Sequence, residues 1–301
     1  MTVAAIDCGT NSIRLLVLAG SRDAPQELAR EVRLARLGQG VDATGEFHPD
    51  ALARTFAVCD EFAQIIRAHG AGKVRFVATS AARDVTNRQL LIDGVRERLG
   101  VEMDVIPGQE EARLSSAGAL CAVDVTPPTL ILDIGGGSTE LVLADGAGTI
   151  VHSVSLNVGS VRLRERFLHT DPPTPEEQRA SREFVGDLLD GSGIDFAAVA
   201  SAVGVAGTVT SVAARALGLE AYSRDAVHGL VLGRDDIRDA NSHWLATPVS
   251  EIEGEPCMHP LRAGVIGAGT LILDEIAARI PSQKILVSET DILDGIALEL
   301  L

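Results

Sequence analysis

The sequence predicts an α/β fold made of two similar domains. A chain of 301 residues is long enough for two domains of ordinary size, and predicted strands alternate with predicted helices along it. The strongest observation is an internal repeat, since residues 5–20 read AIDCGTNSIRLLVLAG and residues 131–146 read ILDIGGGSTELVLADG. Each copy has an apolar strand, an Asp-x-Gly turn and a second apolar strand, which is the pattern of a β-hairpin. We expect each hairpin to begin one α/β domain, with the two domains facing a cleft.

The elements of the first half follow from apolar periodicity and from residues typical of helix starts. After the first hairpin we expect a strand at 27–34, a helix at Pro49–His69, a strand at Lys73–Thr79, a helix at Asn87–Leu99, a strand at Glu102–Ile106 and a helix at Glu110–Ala122.

The second half is predicted in the same way. We expect a strand at 149–156, a helix at Pro175–Leu189, a strand at Val199–Val203 that leads into a helix, a long helix at His259–Arg279, a strand at Ile285–Val287 and a closing helix at Asp291–Leu301. The pair Pro127-Pro128 marks the clearest boundary, because a residue before proline is biased away from helix. The predicted domains are therefore 1–126 and 127–301, with the last helix free to pack back at the hinge.

Composition bears on which partners and which cellular location to expect. There are 26 Lys and Arg residues against 42 Asp and Glu residues, a net charge of −16, which argues against a nucleic-acid partner. The four cysteines form no C-x-x-C pair and favour a reducing, cytoplasmic location. The apolar N-terminal stretch is interrupted by Asp7 and Arg14, so we expect neither a signal peptide nor a membrane span.

The second hairpin carries the strongest indication of chemistry. Its glycines permit close approach of backbone N–H groups to a phosphate, and they are Gly135, Gly136 and Gly137. Ser138 and Thr139 add hydroxyl donors, and Asp133 and Glu140 flank the turn, where two carboxylates suit Mg²⁺ beside a phosphate. The alternative is that these glycines form only the turn of a plain hairpin.

The first hairpin favours the phosphate interpretation. Asp7 and the pair Asn11-Ser12 occupy positions equivalent to those of the second turn. Two such turns can clamp a chain of phosphates between them.

Two further segments resemble anion-binding loops. In ATSAARDVTN (78–87), Arg83 is suited to bidentate phosphate binding, although pairing with Asp84 explains it as well. In VGVAGTVTS (203–211), Gly207 permits backbone approach at a helix start, although a close strand-to-helix turn needs the same residue.

The pair Glu110-Glu111 follows Pro107-Gly108 at a predicted helix start. Carboxylates in the first turn complement the helix dipole. One of them is equally able to orient a water molecule, and spacing does not choose between these roles.

Taken together, the motifs resemble the exopolyphosphatase/guanosine pentaphosphate phosphohydrolase (Ppx/GppA) family in its short, two-domain form. The segments that carry the resemblance are AAIDCGTNSIRLLV, ATSAARDVTN, PGQEEARL, LILDIGGGSTELVL, NVGSVRLRERF and VGVAGTVTS. The resemblance implies two ribonuclease-H-like domains of the superfamily that contains actin-like ATPases, sugar kinases and heat-shock ATPases. It also implies Glu111 as catalytic base, Asp133 and Glu140 as metal-site acids with Asp7 in support, and phosphate contacts from Asn11, Ser12, Arg83, Gly136, Gly137 and Ser138.

The expected activity is Mg²⁺-dependent release of orthophosphate from the end of inorganic polyphosphate, with Mn²⁺ as an alternative metal. Short chains are expected, because a charge of −16 leaves no long basic track for a distant polyanion. The alternatives are hydrolysis of guanosine pentaphosphate, an ATP-dependent sugar or acetate-type kinase, and a nucleotide-gated binding protein. The resemblance allows a homodimer, and the closing segment VSETDILDGIALEL departs from the family pattern.

Overall fold

A computed structural model of the chain describes residues 1–145 and 149–301, so Gly146, the last residue of the second repeat, lies outside the described residues. They divide into two compact units, one of Met1–Gly118 with Asp291–Leu301 and one of Ala119–Thr290. The boundary predicted from the pair Pro127-Pro128 lies between residues 126 and 127, whereas these units divide between Gly118 and Ala119. The reason lies in packing, because Gly118 lies against the backbone of Asp291 so closely that a Cβ would overlap it.

The first unit is built on a mixed sheet with the order β3-β2-β1-β4-β5. Its strands are β1 (Thr2–Cys8), β2 (Ser12–Ser21), β3 (Ala24–Leu34), β4 (Lys73–Ala78) and β5 (Met103–Val105). Strands β1, β2 and β3 are antiparallel neighbours, and β4 and β5 run parallel to β1. The helices along this part of the chain are α1 (Val41–Thr44), α2 (Pro49–Ala68), α3 (Ser80–Arg83), α4 (Gln89–Leu99) and α5 (Gly108–Leu120).

Both faces of this sheet are covered, because successive side chains of a strand point to opposite faces. Ala4 and Ile6 of β1 pack in one apolar cluster with residues of α2 and α4. Val3 and Ala5 pack in another, with Leu114 of α5 and with the last helix.

The second unit repeats this plan on a sheet with the order β10-β11-β9-β6-β7-β8. Its strands are β6 (Thr129–Ile134), β7 (Thr139–Ala144), β8 (Ile150–Leu156), β9 (Ser201–Val205), β10 (Val231–Gly233) and β11 (Lys284–Val287). Read from β8, the order is an antiparallel β8-β7-β6 meander followed by parallel β9 and β11, as in the first unit. The predicted duplication is therefore present in the topology.

The helices of the second unit pack on this sheet around one apolar core. They are α6 (Ser160–Phe167), α7 (Pro175–Asp190), α8 (Ala206–Ala216), α9 (Arg224–Val227), α10 (Arg234–Ala246), α11 (Val249–Ile252) and α12 (Pro260–Arg279). Helix α12 is buried along most of its length, as expected for a helix that is apolar all round.

The last helix, α13 (Ile292–Leu300), belongs to the first unit and packs on β1 and β2. Most predicted helices and strands are present with ends shifted by one or two residues. The sequence prediction missed α6, α10 and the short elements α1, α3, α9, α11 and β10. In the part of the chain that the structure describes, no helix has the length and apolar character needed to cross a membrane.

Candidate active-site residues

The two repeated hairpins have the same turn. The Gly9 N–H donates to the Ser12 carbonyl at 2.9 Å, and the Gly135 N–H donates to the Ser138 carbonyl at 3.0 Å. Asn11 and Ser12 lie in the first turn, half-buried. The hydrogen bond that closes each turn and the strand register beside it are therefore the same in the two copies.

In the first hairpin, the acid is matched by an arginine. Arg14 faces Asp7 across the β1–β2 ladder and donates to its Oδ2 from Nε at 3.0 Å and from Nη2 at 2.5 Å. The same guanidinium donates to Asp291, which begins α13. Burial raises the pKa of Asp7, and the charge of Arg14 opposes that rise. Asp7, predicted as a supporting metal ligand, is therefore held in an ion pair within the first unit, and its Oδ1 has no hydrogen-bond partner among the described residues.

In the second hairpin, a glutamate takes the place of the arginine. Asp133 and Glu140 are register partners across β6 and β7, and both are buried. Ser155 of β8 donates to Glu140 Oε1 at 2.6 Å. Like charges directly opposite each other destabilise a sheet. Two buried carboxylates side by side are the oxygen donors that Mg²⁺ takes when substrate phosphates and water complete its shell, so this pair fits the expected metal.

The described residues do not supply a complete set of metal ligands by themselves. Among the residues that the structure describes, no group of three or more His, Cys, Asp or Glu side chains comes together as a metal site. The Asp133–Glu140 pair therefore fits a metal that arrives with phosphate better than a cage made of protein ligands alone.

The glycine loop is supported by the start of α6. The Gly135 carbonyl accepts from the Ser160 N–H at 2.9 Å, and the Gly136 carbonyl accepts from the Val161 N–H at 2.8 Å. Gly159 lies so close that a Cβ there would be 2.5 Å from the carbonyl carbon of Gly136. The motifs DIGGGSTE and NVGSVRL are therefore in direct contact, through hydrogen bonds between the glycine loop and the start of α6.

Thr139 corrects one sequence prediction. Its hydroxyl donates to the Val158 carbonyl at 2.7 Å, and the side chain is fully buried. Because a hydroxyl has a single proton to donate, Thr139 supports the loop instead of offering a donor to phosphate. Ser138 is also buried, in the turn that Gly135 closes.

The two glutamates at the start of α5 have separate environments. Arg113 donates to Glu110 at 2.7 and 2.8 Å in a partly exposed pair, and this hydrogen bonding lowers the pKa of Glu110. Glu111 is buried, and its Oε2 accepts from Arg83 Nη1 at 2.7 Å. The partners of Arg83 are Glu111 and the Ile106 carbonyl, not Asp84. Of the two glutamates, only Glu111 has a buried carboxylate paired with a predicted phosphate ligand.

The predicted loop at 203–211 is in contact with an arginine of another helix. Arg262 of α12 donates to Ser211 at 3.0 Å, and its guanidinium covers Gly207, where a Cβ would lie 2.8 Å from Nη2. The absence of a side chain at Gly207 is therefore needed for this arginine as much as for an anion.

Arg14, Asp291, Ser155 and Gly159 were not predicted as part of the site. For Arg14 a signal was available, because in a tight hairpin the residue seven positions after Asp7 is its cross-strand partner. The partnership with Asp291 joins residues 277 positions apart, and no local pattern indicates it.

Comparisons with known proteins show which family the chain belongs to. A model of the Ppx/GppA phosphatase family matches residues 16–301. The chain is 41% identical over 314 residues to exopolyphosphatase 2 of Mycobacterium tuberculosis, with 99% of this chain and 98% of the relative covered. It superposes with a TM-score of 0.96 on the crystal structure of an exopolyphosphatase-like protein that is 37% identical, over 99% of this chain and 97% of that one. A crystal structure of the Aquifex aeolicus Ppx/GppA family member, 28% identical, gives a TM-score of 0.84 over 100% and 97% of the two chains. Because the family model matches residues 16–301 and exopolyphosphatase 2 is 41% identical along nearly all of both chains, the protein belongs to the Ppx/GppA phosphatase family and is an enzyme of that family.

Proposed function

We propose that this enzyme is an exopolyphosphatase that removes orthophosphate from the end of short inorganic polyphosphate chains. The observation that supports this most directly is the buried carboxylate of Glu111, held at the start of α5 by the guanidinium of Arg83. A carboxylate fixed beside a potential phosphate ligand is suited to take a proton from a water molecule that attacks that phosphate. Similarity to exopolyphosphatase 2 supports the choice of substrate.

In the proposed reaction the water oxygen attacks the terminal phosphorus, and one water proton passes to the carboxylate of Glu111. The bond between the terminal phosphorus and the bridging oxygen breaks, and the bridging oxygen keeps the electron pair as the new end of the shortened chain. Phosphoryl transfer of this kind requires positioning and charge neutralisation more than covalent catalysis. Arg83 supplies positive charge for the terminal phosphate.

Asp133 and Glu140 would hold Mg²⁺, or Mn²⁺ in its place. When bound, the metal would neutralise charge on phosphate oxygens. The protein's own contribution is to keep two carboxylates in register on β6 and β7, with Ser155 fixing one oxygen of Glu140.

Glu111→Gln tests the proposed base. Glutamine keeps the size and the hydrogen-bonding capacity of the side chain but cannot accept the proton, so we expect kcat to fall by about 10²–10⁴-fold. Glu110→Gln is the matched control, because it makes the same chemical change one residue earlier, in a partly exposed pair. We expect it to retain nearly normal turnover, since an exposed ion pair contributes about 0–1 kcal/mol to stability.

The assay measures orthophosphate released from tripolyphosphate, long polyphosphate, guanosine pentaphosphate and ATP in parallel. We expect tripolyphosphate to be the best substrate at low salt, and added salt to narrow the difference from long chains by screening the repulsion of a protein with a charge of −16. Faster turnover of guanosine pentaphosphate or ATP would reject the proposed substrate. Loss of activity in Glu110→Gln but not in Glu111→Gln would reject the proposed base.

A further inference from the structure

The guanidinium of Arg83 is fixed along one edge and open along the other. Its Nη1 donates to the Ile106 carbonyl at 3.0 Å and to Glu111 Oε2 at 2.7 Å. Its Nε and Nη2 donate to none of the residues that the structure describes, and the side chain is 22% exposed. An arginine has five donors in a planar fork, so one anion already occupies part of this fork and room for another remains.

The backbone that carries this side chain is also held. Arg88 donates to the Arg83 carbonyl at 2.7 Å and to the Ala82 carbonyl at 2.5 Å. Arg83 ends the short helix α3 directly after β4, and Ile106 follows the neighbouring strand β5. Arg83 is therefore held both at its backbone and at its side chain, and the Glu111 carboxylate is hydrogen-bonded to this held group.

We propose that Arg83 is a positioning residue for Glu111 and that a single guanidinium is shared between the base and the terminal phosphate. This inference rests on the proposed function for the role of Glu111 as base. With no substrate, the full charge of Arg83 acts on Glu111 and makes its carboxylate a weak proton acceptor. When Nε and Nη2 bind a phosphate, two anions divide that charge, and Glu111 becomes a better acceptor only while substrate is present.

If one guanidinium serves both anions, Glu111 and phosphate compete for Arg83. Phosphate binding to Arg83 without such sharing predicts no competition. If Glu111 and phosphate share the charge of Arg83, then removing the charge of Glu111 strengthens phosphate binding. The strengthening depends on Arg83 being present. General repulsion between Glu111 and phosphate also weakens binding, but that effect does not depend on Arg83.

A double-mutant cycle separates these effects. Orthophosphate is the probe, because it is not hydrolysed, and its affinity is measured by titration calorimetry for wild type, Glu111→Gln, Arg83→Met and the double variant. We expect Glu111→Gln to bind orthophosphate about 10-fold more tightly than wild type, because the charge-assisted hydrogen bonding of Arg83 is then directed to phosphate alone. In the Arg83→Met background the same change is expected to alter affinity by about 2-fold or less.

Two results would overturn the proposal. An equal effect of Glu111→Gln in both backgrounds shows that repulsion alone acts, and an Arg83→Met affinity equal to that of wild type shows that phosphate does not use this arginine. Because binding requires no turnover, the cycle remains decisive even if none of the four compounds in the phosphate-release assay is hydrolysed.

Arg83→Lys provides a second test that remains usable if the Arg83→Met variant is unstable. Lysine keeps a positive charge but lacks the planar fork that engages two anions at once. We expect kcat to fall by about 10–100-fold, because misplacing a catalytic group by about 1 Å costs that order, while KM changes by less than about 5-fold. A rise in KM with an unchanged kcat would show that Arg83 binds substrate without positioning the base.

Discussion

Gly295→Ala tests how closely the last helix packs in the first unit. Gly295 of α13 faces the backbone of α5, where a Cβ would overlap the Leu114 carbonyl oxygen and lie 2.9 Å from its carbonyl carbon. The obstructing atoms are backbone, so no side-chain rotation can relieve the overlap. Helix α13 must instead move away from α5 by about 1 Å, in a core packed at crystal-like density.

The magnitude follows from two opposing effects. Alanine in place of glycine favours a helix by up to about 1 kcal/mol, whereas overpacking costs about 1–3 kcal/mol, and more when backbone must shift. We expect a net loss of about 1–3 kcal/mol in the free energy of unfolding. For a protein of this size, that loss lowers Tm by about 2–4 °C per kcal/mol.

Gly264→Ala is the matched control. Gly264 lies in α12, and a Cβ there would meet no atom within 4 Å. The same substitution is therefore expected to leave stability unchanged or raise it by up to about 1 kcal/mol. Calorimetric melting of both variants measures the difference. If Gly295→Ala melts at or above the wild-type temperature, α13 does not approach α5 as closely as described.

Three further outcomes are expected. EDTA should abolish phosphate release, and Asp133→Asn should raise the Mg²⁺ concentration needed for half-maximal activity; full activity in excess EDTA would contradict the metal assignment. Hydrogen bonds from the loop at 169–174 lower the pKa of Glu177 from 4.5 to about 2. Folding thus favours the ionised form of Glu177. Glu177→Gln should therefore lower the free energy of unfolding by its full amount above about pH 5, and this loss should vanish as the pH falls towards 2. A loss that does not depend on pH would contradict this. Burial raises the pKa of Cys59 to about 12 and also raises that of Cys8, so mass spectrometry after iodoacetamide treatment of the native protein should find the exposed Cys121 alkylated before either of them.

The sequence predicts local features well because hairpins and turns are encoded by neighbouring residues. The repeat of Asp-x-Gly turns is enough to predict both hairpins and the duplicated α/β plan. The buried position of Glu111 is different, since it depends on Arg83 arriving from another strand end, 28 positions away. Before the fold is known, Glu110 and Glu111 are equivalent helix-start residues.

The position of α13 could not be predicted for a similar reason. Its sequence is apolar and begins with a capping aspartate, which is sufficient to predict a helix. Its place in the first unit depends on Gly118 and Gly295, where two helices meet at backbone distance. A glycine in a helix is usually a cost in local terms, and only the tertiary contact explains these two.

The exchange of Arg14 for Glu140 at matching positions has a consequence for how a duplicated protein diversifies. Both hairpins keep the aspartate, the turn and the register, yet one position has changed the sign of its charge. In the first copy, the counter-ion of the aspartate is a residue of the chain itself, Arg14. On the proposed function, the second copy places two carboxylates side by side for a metal that arrives with phosphate. One cross-strand position therefore separates a hairpin whose aspartate has an ion-pair partner from a hairpin with two carboxylates side by side.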